Sequence, residues 1–245
     1  MSGKKSCLVV GAGDATGGAI ARRFAREGYE TVIIRRNADQ LEDVARTIRD
    51  DGNAVHPMGV DARDEDQMIA LFDRIEKDIA PLDVVVFNIG ANVRFGIQDT
   101  TARVYRKVWE MAAFAGFLTG REAARVMVPR GSGSVLFTGA TASIRGSDGF
   151  SAFAGAKHAL RALAQSMARE LGPQGIHVAH TIIDGAIDTQ WIAENFPERY
   201  KLKEQDGILN PDAIADAYWM LHTQHRSAWT FELDLRPWME SMVRG

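Results

Sequence analysis

The 245-residue sequence contains one cysteine, Cys7, so an intrachain disulfide is excluded and a reducing compartment is expected. It has no basic excess. Its 29 Lys and Arg are set against 32 Asp and Glu, a net charge of −3, which excludes the positive field that nucleic-acid binding uses. No apolar run is long enough to span a bilayer. The opening MSGKKSCLVVGAG offers too short a stretch for a signal-peptide core. A cytoplasmic protein that binds neither nucleic acid nor membrane is expected. Cysteine and histidine clusters at metal-ligand spacing are missing, so no metal is expected. Repeats, low-complexity tracts and long linkers are missing too, which leaves one domain over 1–245 with a substantial core.

What is present is an alternation. Short apolar runs at 7–11, 31–36, 54–61, 82–90, 133–140, 176–184 and 229–235 read as strands. Between them, helical patterns run at 17–29, 38–52, 64–79, 101–128, 150–171 and 211–222. Continuous apolar strands separated by helices predict an α/β fold, a single Rossmann-type doubly wound parallel sheet of about seven strands with helices on both faces. Ligands of such folds sit beyond the carboxyl ends of the strands. The irregular segment 185–210 follows the sixth strand and is therefore placed to cover a site.

The first strand leads into VVGAGDATGGAIARRFA, a glycine-rich turn that opens a helix. Glycines there let backbone approach a pyrophosphate, and the helix N-terminus offers amide donors and a positive dipole. Gly11, Gly13, Gly17 and Gly18 are the candidates, although such turns also simply join strand to helix. On this turn and on later motifs, the chain resembles the short-chain dehydrogenase/reductase family over nearly its whole length. Gly11 and Gly17 match the outer glycines of that family's G-x3-G-x-G turn, and Ala15 occupies the middle position. The resemblance implies a nucleotide contacted by Gly11, Gly13, Asp14, Thr16 and Gly17. Asp61 and Ala62 in VDA match the segment that reads the adenine. Asn88 to Gly90 in FNIG match the family's N-A-G motif. Gly185 and Thr189 in GAIDT match the segment that touches the carboxamide or pyrophosphate. Family members that use NAD usually carry an acid after the second strand. This chain has Arg35 and Arg36 there, which suit a 2′-phosphate, or else form a solvated strand end. Asp14 stands where many NADP users carry a base. NADP is expected over NAD.

The family's reaction uses an asparagine, a serine, a tyrosine and a lysine. The matching positions here are Ala112, Ala140, Phe153 and Lys157, so only the lysine is kept, and the resemblance implies that Lys157 binds the nicotinamide ribose where a plain helix lysine is the alternative. Phenylalanine has no O–H to give or take a proton, and the family's carbonyl chemistry should be crippled. Asp184 replaces the family's proline before Gly185 and is the leading substitute acid or base. A turn or helix-cap aspartate is an equal reading. Thr141 is the substitute hydroxyl, or a structural threonine. The stretch from Gly175 to Gly185 is one residue longer than usual in the family, so a bulge is expected. His180 on the sixth strand reads as a core residue. Tyr200 is either a phenol brought to the site or a packing residue. Trp191 and Phe196 make 185–210 greasy, as expected of an apolar substrate or a dimer contact. Three functions stay open: an NADP-dependent oxidoreductase with a rebuilt site acting on an activated C=C, C=N or C=O bond, a non-catalytic nucleotide-binding sensor or silent oligomer partner, and a non-redox lyase or isomerase. The resemblance also implies a homodimer or homotetramer built on the helices at 101–128 and 150–171.

Overall fold

The computed structural model describes residues 3–240. Its sheet has seven strands: β1 (Ser6–Val10), β2 (Glu30–Arg35), β3 (Val55–Gly59), β4 (Leu82–Phe87), β5 (Gly133–Thr138), β6 (Ile176–Ile183) and β7 (Glu232–Leu235). Their order is β3-β2-β1-β4-β5-β6-β7, and every pairing is parallel. β1, β4 and β6 are buried along their whole length, which explains runs such as SCLVV and LDVVVF in which both faces are apolar. The predicted sheet is the observed one.

Helices α1 (Thr16–Arg26), α2 (Glu42–Asp50) and α3 (Glu65–Asp78) follow the first three strands. Asp64 caps α3 by accepting from the Gln67 N–H at 3.0 Å. The stretch expected as one helix over 101–128 is interrupted. α4 (Ala102–Trp109) passes into a π-turn at Glu110–Phe114 and then into α5 (Ala115–Met127). Such a π-turn inserts an extra residue without ending the helix, so apolar periodicity does not reveal it. α6 (Ser151–Leu171) crosses from β5 to β6. After β6 come the short α7 (Gln190–Asn195) and α8 (Pro197–Tyr200), then α9 (Pro211–Thr223), whose start has Asn210 as cap and Pro211 in its first turn.

Two apolar layers sandwich the sheet. One gathers α3, α5 and α6 around Phe72, Phe87, Phe137 and Leu160. The other gathers α1, α2 and α9 around Phe24, Ile48, Leu136 and Tyr218. The expected bulge in β6 is not found. β6 pairs with β5 from Ile176 to Thr181 and with β7 from His180 to Ile183 without a break, so the extra residue is absorbed in strand length. The register shift lies instead between Ser6 and Cys7, where β1 meets β4. Among the described residues no helix is long and apolar enough to cross a membrane.

Candidate active site

A cleft of about 1220 Å³ opens over the residues that follow β1, β4, β5 and β6. It straddles the gap between the parallel neighbours β1 and β4, where the order in which strands are added to the sheet reverses.

One end of the cleft is shaped by backbone. Gly11 has φ +87, and a Cβ on it would lie 3.0 Å from the Asn88 carbonyl oxygen. At Gly17 a Cβ would lie 2.5 Å from the Gly11 carbonyl oxygen and 2.8 Å from Ala12 Cα, closer than real side chains approach. Asn88 fastens this turn: its amide Nδ2 donates to the Gly11 carbonyl at 3.1 Å and its N–H donates to Val10 at 2.8 Å. No side chain caps the start of α1, and its first turn carries no acid. The positive end of that helix therefore faces the cleft beside Gly13, Asp14, Thr16 and Gly17, all of which line it. Gly90 lines the cleft too, on the opposite wall.

Four expected nucleotide contacts, Arg35, Arg36, Asp61 and Ala62, lie apart from this lining. Arg35 and Arg36 follow Ile34, whose carbonyl accepts the N–H groups of Gly11 at 3.0 Å and Ala12 at 3.3 Å. They therefore stand at the rim of the glycine turn; Arg35 reaches the Gln40 carbonyl at 3.4 Å and Arg36 is exposed. Asp61 accepts from Arg63 Nε at 2.9 Å, Nη2 at 2.6 Å and the Arg63 N–H at 3.1 Å. Hydrogen bonding to that guanidinium holds the Asp61 carboxyl below the usual range. The pair borders a smaller pocket with Trp109 and Phe114, and Ala62 turns into the core.

The other end of the cleft is shaped by side chains, and its expected proton-handling positions are apolar. Phe153, in the first turn of α6, is buried with Ala142 and Ala154, and Ala140 and Phe150 pack on them. The Ala140 N–H is taken by Ser143 Oγ at 3.1 Å. Ala112 sits inside the π-turn, fully buried against Val108, Ala152 and Ala156, and does not reach the cleft. The position expected to match the asparagine is therefore core.

Lys157 is one turn beyond Phe153, with Nζ 5.9 Å from the ring centre. The amine donates to the Thr138 carbonyl at 2.8 Å and the Ile89 carbonyl at 3.1 Å, so it bridges the ends of β5 and β4. Burial lowers its pKa to about 8.

Asp184 stands directly after β6, its N–H bonded to the Leu235 carbonyl of β7 at 2.8 Å. Its Oδ1 accepts the Thr141 hydroxyl. Its Oδ2 is buried without a hydrogen-bond partner and lies 3.6 Å from Arg236 Nη2. The capping reading of Asp184 does not hold: α7 is capped by Thr189, whose Oγ1 accepts the Ile192 N–H at 3.1 Å. Thr189 and Gly185 both line the cleft. Gly185 has φ +153, and a Cβ there would meet Pro237 Cδ at 2.7 Å.

His180 is fully buried behind the cleft, with Nδ1 3.2 Å from Glu232 Oε2. Burial lowers its pKa to about 4, so it is neutral near pH 7. Arg161 holds Glu232 through two contacts of 2.7 Å. Tyr200 does not line the cleft, whereas Trp191 and Phe196 do, with ring centres 5.4 Å apart. The same segment brings in Lys203, paired with Asp188 at 2.8 Å, and Arg199, paired with Glu240. The sequence reading missed Arg145, which lines the cleft five residues past Ala140. Its setting, SIRGSDG, reads as a solvated loop, and that spacing is the only available signal. Among the described residues no group of three or more His, Cys, Asp and Glu is arranged to hold a metal.

Residues 5–199 match the family described as short chain dehydrogenase. Over 191 residues the chain is 31% identical to cis-4-hydroxycyclohexanecarboxylate dehydrogenase of Sinomonas cyclohexanicum, covering 78% of this chain and 76% of that one. It is 47% identical to a short-chain dehydrogenase from Rhodopseudomonas palustris, whose crystal structure aligns at a TM-score of 0.82 over 96% of this chain and 99% of the other. A metagenomic short-chain oxidoreductase crystallised with NADP has the same fold at 22% identity and a TM-score of 0.78, covering 97% of this chain and 98% of the other.

Proposed function

The chain belongs to the short-chain dehydrogenase/reductase family, and from that premise we propose that it is an NADP-dependent oxidoreductase with a rebuilt proton-handling site. Its substrate is a small, largely apolar molecule with an activated C=C, C=N or C=O bond. The observation that carries this reading is the buried Asp184 carboxylate, held by Thr141 on one oxygen and unpartnered on the other, in the cleft that also contains Phe153 and Lys157.

The residues present fit a dinucleotide. Side-chain-free backbone at Gly11 and Gly17, the uncapped start of α1 and the Asn88 clasp form a cradle for a pyrophosphate. Arg35 and Arg36 at its rim suit a 2′-phosphate, and the metagenomic oxidoreductase of the same fold carries NADP. Gly13, Asp14, Thr16, Gly90, Gly185 and Thr189 complete the set that would hold it. When bound, NADPH supplies the reducing equivalent. The chain supplies the path for the proton: the Asp184 carboxyl relays it from solvent to the substrate. Thr141 fixes the orientation of that carboxyl, and Arg236 steadies its charged form. Phe153, Ala142, Trp191 and Phe196 keep water from the reacting bond, with segment 185–210 as the covering element. Without a phenol at 153, plain ketone reduction loses a general acid worth roughly 10²–10⁴-fold, so bonds already polarised by conjugation or protonation are favoured.

A fluorescence titration with NADPH and NADH, followed by a screen of enones, imines and ketones for NADPH consumption, tests the proposal. NADPH binds the more tightly and at least one activated compound is turned over. Equal or reversed nucleotide affinity sinks the cofactor assignment.

One observation favours a second reading, a nucleotide-binding member without turnover. Lys157 spends two N–H donors on main-chain carbonyls, as a purely structural lysine would. The double variant Phe153→Tyr with Ala140→Ser separates the two. A gain in ketone reduction means that the rest of the site is still set for hydride transfer. An inert double variant together with an empty substrate screen leaves the binding role.

A further inference from the structure

Arg145 is the one cleft-lining arginine without an acidic partner among the described residues. Arg22 reaches Asp212 at 3.3 Å and Arg199 pairs with Glu240, whereas no carboxylate lies within 4.0 Å of the Arg145 guanidinium. Its Nε is buried with no hydrogen-bond partner. Its backbone is fixed, the Arg145 N–H donating to the Thr141 carbonyl at 3.2 Å, one residue from the position that the family gives to its serine. The surrounding wall is apolar: Ala142, Phe150 and Phe153 line the same part of the cleft.

A guanidinium N–H shut away from water and unpaired is costly, because it loses hydration and receives no compensating bond. Elsewhere in the cleft the protein meets that cost with its own carboxylates. Here it does not, and the planar fork of donors matches a two-oxygen anion. We propose that Arg145 is the substrate-anchoring residue and that it takes a carboxylate. Resting on the oxidoreductase reading above, this narrows the substrate to a carboxylic acid with an apolar ring or chain, the acid end on Arg145 and the body against Phe150 and Phe153. The anchor sits on the turn that carries Thr141, so it sets the distance between the acid group and the bond that Asp184 serves. The nucleotide's phosphates are the competing anions, and the glycine turn that would hold them follows β1, whereas Arg145 follows β5.

The test is saturation-transfer NMR with benzoate, cyclohexanecarboxylate and phenylacetate, each beside its methyl ester, on wild type, Arg145→Gln and Arg145→Lys, with and without NADPH. The wild type binds the acids in preference to the esters. Arg145→Gln weakens acid binding by roughly tenfold to a hundredfold, leaves the esters unchanged and leaves NADPH affinity unchanged. Arg145→Lys restores part of the loss, as a charge without a fork. The proposal is overturned by acids that bind no better than esters, by acids that bind Arg145→Gln as well as wild type, or by a parallel loss of NADPH affinity, which would assign the arginine to a phosphate. Because binding is read without turnover, absence of turnover in the substrate screen removes the oxidoreductase reading and leaves this one standing or falling separately.

Discussion

The two ends of the cleft are built from different materials. The nucleotide end is made of main chain: Gly11 and Gly17 are held by contacts that leave no room for a Cβ, and the Asn88 amide closes the turn. The reaction end is made of side chains on a frame that tolerates their exchange. Ala112, Ala140 and Phe153 all sit in well-packed apolar surroundings. At Gly11 and Gly17 the site resists change because an added Cβ meets main-chain atoms. A side-chain site can be re-equipped one residue at a time, since a side chain of different polarity can be seated without moving the frame.

Four experiments press on that contrast. The largest effect is expected at the reaction end. Asp184→Asn keeps the size of the side chain and removes the acid, and turnover of any substrate found by screening falls by roughly 10²–10⁴-fold with the melting temperature nearly unchanged. Steady-state rates and thermal melts read the two together, and an unchanged rate returns Asp184 to a structural role.

Next comes the backbone end. In Gly17→Ala the new methyl is forced against the Gly11 carbonyl and Ala12 Cα, neither of which is a flexible side chain. Overpacking of that kind costs about 3 kcal/mol, and NADPH affinity drops with it. Urea unfolding and nucleotide titration measure both. A variant that folds and binds like wild type breaks the claim that this end is rigid.

Third, Lys157 joins the two ends. The folded chain releases the Lys157 proton near pH 8, whereas the unfolded chain keeps it up to about 10.4. The unfolded state therefore binds more protons between these values, and stability rises with pH across that window. The rise is roughly 2 kcal/mol between pH 8 and about 9.5, and Lys157→Met lacks it. Denaturant midpoints collected against pH for both proteins give the comparison.

The smallest effect belongs to the rim. Arg35→Ala with Arg36→Ala lowers the preference for NADPH over NADH by about tenfold, the scale of exposed phosphate contacts. Fluorescence titration checks it.

How much of this was legible in the sequence follows the same division. The seven strands and their parallel order could be read from runs such as SCLVV and LDVVVF, because burial on both faces writes itself as unbroken apolar sequence. The glycine turn was legible for a related reason: only glycine satisfies its geometry. That Ala112, Ala140 and Phe153 are apolar is plain from the sequence, and their assignment to reaction positions rests on the resemblance to the family. What could not be read was which side chains are partnered. Asp61 is engaged by Arg63, two residues away, and yet nothing in VDAR says so. Arg236, the residue after β7, approaches Asp184, 52 residues earlier in the chain, and the unpartnered Nε of Arg145 is visible only when its surroundings are known. The π-turn at Glu110–Phe114 was hidden because it leaves helical periodicity almost intact.

β7 is four residues long and pairs with the sheet on one side only, through β6. It nevertheless holds the Asp184 backbone through Leu235, leads to the cation nearest the Asp184 carboxylate, and through Glu232 anchors His180. The charge environment of Asp184 is thus suspended from the outermost strand. Whatever seats or loosens that strand, whether an affinity tag appended beyond it or a neighbouring subunit laid along its open edge, acts as a tuning screw on the surroundings of that carboxylate without touching the cleft.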